Sequence, residues 1–159
     1  MKITFIGACR QITGSCYLLE SEKIHVVIDC GLYQERDYLG RNWKPFPFDP
    51  SGVDVLILTH AHLDHCGLTP KFVRDGFKGK IYVANATADL VPIVLLDSAR
   101  IQEEDAAYKK KRHKKENRTG PFPEIPLYTE EDAEKCLTRI ESVPYNESVS
   151  YTHLTLPTN

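Results

Sequence analysis

Within the six residues His60-Ala61-His62-Leu63-Asp64-His65 the chain places three of its 6 histidines and one carboxylate. Imidazole nitrogen and carboxylate oxygen suit zinc, with manganese, iron or nickel as alternatives and calcium or magnesium disfavoured. At this chain's own histidine and aspartate content, such an arrangement arises by chance with a probability on the order of 10^-3. In an extended segment, residues two apart project to the same side, so His60 and His62 can converge on one cation. Asp64 and His65 are adjacent, and Leu63 to Leu68 reads as a turn entering a helix, which would swing them toward a second position. The spacing therefore predicts two neighbouring metals, whose identity the ligands alone leave open. The competing reading is a polar loop of solvent-facing or helix-capping histidines, and the clustering at a strand end argues against it. His25 in a strand-like run, His113 among lysines and His153 near the end of the chain are expected to be structural or solvated.

The elements that must position this motif can be read from the same chain. Val53 to Leu58 is apolar except for Asp54, as expected for a strand covered on both faces, and the motif follows at its exit. Lys2 to Gly7 reads as a short strand, and Gly7 to Ser15 as a loop punctuated by glycines. Cys16 to Leu19 and Ile24 to Ile28 form a hairpin around Ser21-Glu22-Lys23, the second arm rich in β-branched residues. That arm stops at Asp29-Cys30-Gly31, an acidic strand end like that at Leu58-Thr59-His60, so the two sheet ends are expected to meet. Tyr33 to Pro50 reads as an irregular loop anchored by Trp43, Phe46 and Phe48. Thr69-Pro70 is expected to open a short helix, with the Thr69 hydroxyl as N-cap and Gly76 closing it. Lys80 to Ala84 reads as a strand. A long helical pattern starts near Thr87 and reaches Tyr108, with Asp89 favoured as cap so that Pro92 falls in the first turn. The basic run Lys109 to Lys115, with Arg118, lies at its end, either as cations favoured by the helix dipole or as a phosphate-binding patch. Thr129 to Ile140 reads as a shorter helix, with Thr129 and Asp132 approximating a capping box.

The chain has 159 residues, 42% hydrophobic, enough for one domain with a core. A formal net charge of -2 gives no global electrostatic case for nucleic acid or an anionic surface, so such a partner must be met by a local patch. No stretch has the length of a membrane span and no secretory signal is present, so no membrane association and a cytoplasmic location are expected. The 5 cysteines include no Cys-x-x-Cys pair, which argues for reduced thiols rather than a disulfide framework or zinc ribbon. Cys66, beside the motif, reads as a small buried hydrophobe and not as a ligand.

The signature resembles that of the metallo-β-lactamase superfamily, His-x-His-x-Asp-His after a buried strand. The segments Gly7 to Ser15 with Asp29-Cys30-Gly31, Leu58 to Gly67 and Leu95 to Asp105 are similar to the bacterial β-CASP branch, which contains RNA-processing nucleases related to the endonuclease subunit of the cleavage and polyadenylation specificity factor. The resemblance covers Met1 to about Val149 and implies an α/β fold, part of an αββα sandwich. It implies that His60 and His62 bind one zinc ion while Asp64 and His65 bind another. It further implies phosphodiester hydrolysis of RNA, with Asp64 orienting the attacking water and accepting its proton and Asp29 holding a histidine tautomer or the water. The signature supplies two ligands per metal where a catalytic zinc takes about three from protein. Relatives supply the others downstream, together with an inserted RNA-gripping domain. The expectation is thus an N-terminal portion of the domain over residues 1–148, inactive alone, with a non-native tail over 149–159. A hydrolase of a small thioester or ester and a non-catalytic RNA-binding subunit are the alternatives, and a homo-oligomer is left open.

Overall fold

The computed structural model describes residues 1–146, 149–151 and 154–156, the last two segments as backbone. Six strands form a mixed sheet in chain order: β1 (Lys2–Phe5), β2 (Tyr17–Glu20), β3 (His25–Ile28), β4 (Val55–Leu58), β5 (Lys80–Ala84) and β6 (Ile140–Val143). The pairs β1–β2 and β2–β3 are antiparallel, as the short Ser21 to Ile24 turn requires, whereas β3–β4, β4–β5 and β5–β6 are parallel. Parallel neighbours need crossovers, and these carry the helices α1 (Leu63–Cys66), α2 (Thr69–Arg74), α3 (Asn85–Glu116) and α4 (Glu130–Leu137). Val55, Leu56 and Leu58 of β4 are all buried, which is why that strand lacks the polar alternation of a one-sided sheet. Val27, Ile81 and Val83 from the flanking strands join Phe72, Phe77, Val91, Leu95 and Tyr128 in one core. The Tyr33 to Pro50 segment is irregular apart from 3-10 turns, and its aromatics anchor it: Phe46 and Phe48 lie 5.1 and 6.0 Å from the Phe72 ring.

Three boundaries differ from the sequence expectation. The N-cap of α2 is Leu68, not Thr69. Leu68 N–H donates to Cys30 O, tying the helix start to the β3 exit, and Thr69 is drawn wholly into the core, its hydroxyl without a hydrogen-bond partner among the described residues. Ile140 belongs to β6 and pairs with Ile81, so α4 stops at Leu137; its capping box is as expected, with Thr129 and Asp132 each accepting from the other's backbone N–H. The third difference is α3. It starts directly after β5 with Ala84 as cap and runs 32 residues, with Pro92 inside it and not in its first turn.

Burial explains the early start, since Thr87, Val91, Leu95 and Ala99 must all face the core from one helix. Pro92 has no N–H for the Ala88 carbonyl, a defect this packing overrides. Pro92→Ala is accordingly expected to stabilise the chain by about 2 kcal/mol, the interior-helix cost of proline less the rigidity it lends the unfolded chain. Chemical denaturation measures this, and an unchanged or lowered midpoint would show that the helix has relaxed around the proline. At its other end α3 closes on Asn117, whose φ of 48° is the left-handed conformation that asparagine tolerates at helix ends.

Val149–Tyr151 and Leu154–Leu156 (β7 and β8) form a two-stranded antiparallel sheet separate from the main one. His153 lies outside the described residues. Among the described residues, no helix is long and apolar enough to cross a membrane.

Candidate metal centre

The motif leaves β4 at Thr59 and is stitched to the β3 exit by its backbone. Helix α1 is a single turn whose carbonyls must find N–H donors elsewhere. Cys30 N–H donates to His65 O (2.7 Å), Leu32 N–H to Leu63 O (2.8 Å) and Ser15 N–H to Asp64 O (2.8 Å). Gly31 is the point of closest approach: a β-carbon there would sit 1.7 Å from Asp64 O, so only glycine permits the two segments to run side by side. Ser15 is held in turn, since Gly31 N–H donates to its carbonyl. Glu35 braces the same loop by accepting from the Thr13 hydroxyl and from the backbone N–H of Ile12 and Thr13, contacts that hold its carboxyl below the usual range.

Asp29 ends β3 with a φ of 58°, a left-handed conformation that aspartate adopts at modest cost, and this turns its carboxylate across to the β4 exit. Only 2% exposed, it accepts from Thr59 N–H (2.8 Å), the Thr59 hydroxyl (2.9 Å), the Ser15 hydroxyl (3.3 Å) and His65 Nδ1 (2.7 Å). The expected meeting of the two strand ends is therefore made by this one side chain. Because the carboxylate only accepts, the His65 proton sits on Nδ1 and Nε2 carries the lone pair. The Thr59 hydroxyl spends its hydrogen on Asp29, so its oxygen accepts from His60 Nδ1 at 3.0 Å, leaving Nε2 of His60 as a second lone pair.

The three imidazoles form one patch. The His60 ring lies 4.6 Å from that of His62 and 4.0 Å from that of His65, and Asp64 Oδ2 lies 3.6 Å from His65 Nε2. Burial, then the neighbouring His65 and His62, push His60 below its ordinary value, against the opposing charges of Asp29 and Asp64. That favours the neutral ring, the form that binds metal. By donor type these residues fit a divalent transition metal, with lone pairs preset by a carboxylate behind them as in known carboxylate–histidine–metal arrangements. By number they supply part of a coordination sphere. Among the described residues, no group of three or more His, Cys, Asp or Glu side chains is arranged to hold a single ion.

The structure brings together the five residues singled out in the sequence, His60, His62, Asp64, His65 and Asp29. Sequence reasoning missed Ser15 and Thr59, whose hydroxyls complete the Asp29 network; the only signal was a hydroxyl residue at each strand boundary. His25 bonds Gly52 O through Nδ1 (3.0 Å), and buried His113 pairs with Glu124, both structural roles. Cys66 is wholly buried and donates to Ala61 O, as expected of a packed thiol.

The thiols carry a prediction. Burial pushes Cys16, Cys66 and Cys136 up to about 12, with the Asp29 charge adding to the first two, and Cys30 is also raised well above its ordinary value. Thiolate is the reactive form, so these four stay protonated at mildly alkaline pH and shielded. Exposed Cys9 alone is expected to react rapidly with a disulfide reagent near pH 8, the other four only after unfolding. A second fast thiol in the native chain would contradict this packing.

Residues 10–140 match the family described as the metallo-beta-lactamase superfamily, and the chain belongs to that superfamily. Its relatives include ribonucleases, transcription termination factors and subunits of the cleavage and polyadenylation specificity factor. The chain is 37% identical over 147 residues to Ribonuclease TTHA0252 of Thermus thermophilus, covering 92% of this chain and 29% of that protein. It is 37% identical over 145 residues to an RNase J-like protein of Methanocaldococcus jannaschii, covering 91% and 27%. Cleavage and polyadenylation specificity factor 73 of Drosophila melanogaster is 27% identical over 150 residues, covering 92% and 19%. The chain thus spans less than a third of the length of these relatives. A subclass B3 metallo-beta-lactamase from a soil metagenome library shares the fold, with a TM-score of 0.51 at 17% identity over 96% of this chain and 47% of that one.

Proposed function

We propose that the chain carries the strand-borne part of a two-zinc centre that hydrolyses RNA phosphodiester bonds in the cytoplasm. The carrying observation is the convergence of His60, His62, Asp64 and His65 at the β4 exit, with Asp29 fixing the His65 tautomer from behind. The ribonuclease relatives, similar along nine-tenths of the chain, support RNA as the substrate. His60 and His62 would hold one ion, Asp64 and His65 the other. When bound, the ions supply charge neutralisation at the scissile phosphate and acidify the attacking water. Asp64, the only carboxylate of the motif, orients that water and accepts its proton. Asp29 acts through His65 and Thr59 as a positioning residue, too deeply buried to touch substrate.

The test has two parts. Zn2+ added to the 159-residue chain is expected to shift the imidazole NMR signals of His60, His62 and His65 and to leave His25 and His113 unmoved. The full-length gene product is expected to cut single-stranded RNA, and to lose cleavage but not RNA affinity on chelation or with His62→Ala or Asp64→Ala. Motif histidines that ignore the cation would remove the reading. Turnover of a thioester in place of RNA would move the centre to another substrate class.

A further inference from the structure

We propose that single-stranded RNA leaving the metal centre runs along α3 to a nucleotide-binding pocket built from Phe122, Trp43 and the basic end of that helix. This rests on the reading of the centre as an RNA hydrolase and adds a remote subsite to it. The path is a pair of adjacent cavities that share a wall. One, of about 860 Å³, has His62 and Asp64 at one end and Trp43, Gln102 and Leu127 at the other. The second, of about 280 Å³, shares those three residues and continues to Lys109, Arg112, Arg118 and Phe122.

The shared wall is fixed. Gln102 accepts from Leu127 N–H (3.1 Å) and donates to the Ser98 hydroxyl (3.1 Å), which the Tyr128 hydroxyl also reaches at 3.0 Å. Beyond it, the Phe122 ring stacks on the Trp43 indole with centroids 4.9 Å apart and planes 6° from parallel, in a loop whose flanking Pro121 and Pro123 limit its motion. The indole N–H is buried with no hydrogen-bond partner among the described residues. A flat aromatic face presented beside cations is what an unpaired base stacks on, whatever its identity.

Charge completes the case. Residues 109 to 118 hold seven Lys and Arg against one acid, in a chain whose net charge is -2; the pocket itself is lined by Lys109, Arg112 and Arg118 against Asp105 and Glu124, the latter engaged by His113. On α3, Lys109 and Arg112 lie three apart and face the cavity. Their partners are weak: Lys109 meets Asp105 at 3.5 Å and Arg112 meets Glu116 at 4.0 Å, exposed pairs that a phosphate can displace. Lys110, Lys111, Lys114 and Lys115 have no acidic partner among the described residues and add to the field. A helix dipole accounts for cations in a last turn, but not for the aromatic pocket beside them or the wall it shares with the cavity that reaches His62 and Asp64. From Asp97 beside the centre to Lys109, α3 rises roughly 18 Å, so this subsite holds nucleotides several positions from the scissile bond.

Trp43 is the only tryptophan, so its emission reports on this pocket alone. Titrating the chain with a short oligouridylate is expected to change Trp43 emission, with affinity falling steeply as salt rises. Phe122→Ala is expected to weaken binding roughly 5- to 150-fold, the range for one stacked base, and Phe122→Tyr to restore it. Lys109→Gln and Arg112→Gln are expected each to reduce the salt slope by about one while native circular dichroism is kept. The proposal is overturned if RNA binds without changing Trp43 emission, if polyphosphate changes it as strongly, or if an acidic peptide displaces the RNA in preference to a second oligonucleotide. Cleavage by the full-length product separates the two ideas. If Phe122→Ala leaves KM for RNA unchanged while Asp64→Ala removes cleavage, the pocket fails and the metal centre stands; if Asp64→Ala still cleaves while the Phe122 effects hold, the reverse is true.

Discussion

Asp29→Ala is expected to lower the free energy of unfolding by about 3 kcal/mol, because it strips a buried charged acceptor from four donors at once. Thr59 N–H and the Ser15 and Thr59 hydroxyls would lose their acceptor, the Ser15 one in a buried position, and His65 would lose the partner that sets its proton. Urea denaturation of the chain measures the loss. The isosteric Asp29→Asn separates stability from chemistry. Its amide oxygen can still accept from Thr59 N–H, but its NH2 faces His65 Nδ1 and obliges that nitrogen to become the acceptor. The His65 proton then moves to Nε2, the position needed for metal. A loss of about 10- to 100-fold in zinc affinity is expected, as for other second-layer ligand partners. Unaltered zinc affinity in Asp29→Asn would show that the 2.7 Å contact does not set the tautomer.

Gly31→Ala is the second large effect, and it arises from contact distance alone. The added carbon would lie 1.7 Å from Asp64 O, 2.4 Å from Asp64 C and 2.7 Å from Ser15 N, all backbone atoms that cannot swing aside. The β3 exit and α1 must separate, and the Ser15 N–H to Asp64 O bond goes with them. A destabilisation of about 3 kcal/mol or more is expected, at the upper end of overpacking costs. In whatever fraction stays folded, the zinc response of the motif histidines is expected to be lost, since α1 carries Asp64 and His65. Gly52→Ala is the matched control, because a β-carbon there meets nothing within 4 Å. It is expected to be neutral or slightly stabilising. Equal stability of the two variants would refute the close approach.

Much of this centre was legible because ligand side chains must be present as residue types and strand patterns must bury apolar faces. The motif, the β2–β3 hairpin, β5 and the α4 capping box all emerge from such local rules. The meeting of Asp29 with the β4 exit was legible too, since both strands end in the same acidic or polar punctuation. What stayed hidden depended on distant packing. Thr69 has the residue type and the following proline of an N-cap, yet the core claims its side chain and Leu68 takes the role. Pro92 argued for a late start to α3, but the buried positions Val91 and Leu95 impose a helix continuous from Asn85. Ser15 and Thr59 are ordinary loop residues in sequence, and only the fold brings their hydroxyls to one carboxylate.

The stitching of α1 to the β3 exit has a kinetic consequence. Its bonds join residues 15, 30 and 32 to residues 63–65, and the Asp29 contacts reach from residue 29 to 59 and 65. None can form before the parallel β3–β4 pairing closes the long intervening loop, a step of high contact order and slow by nature. A cation offered to the nascent or refolding chain finds no preset pocket until that closure is complete. Added metal should therefore leave the refolding rate almost untouched and act by slowing escape from the native state.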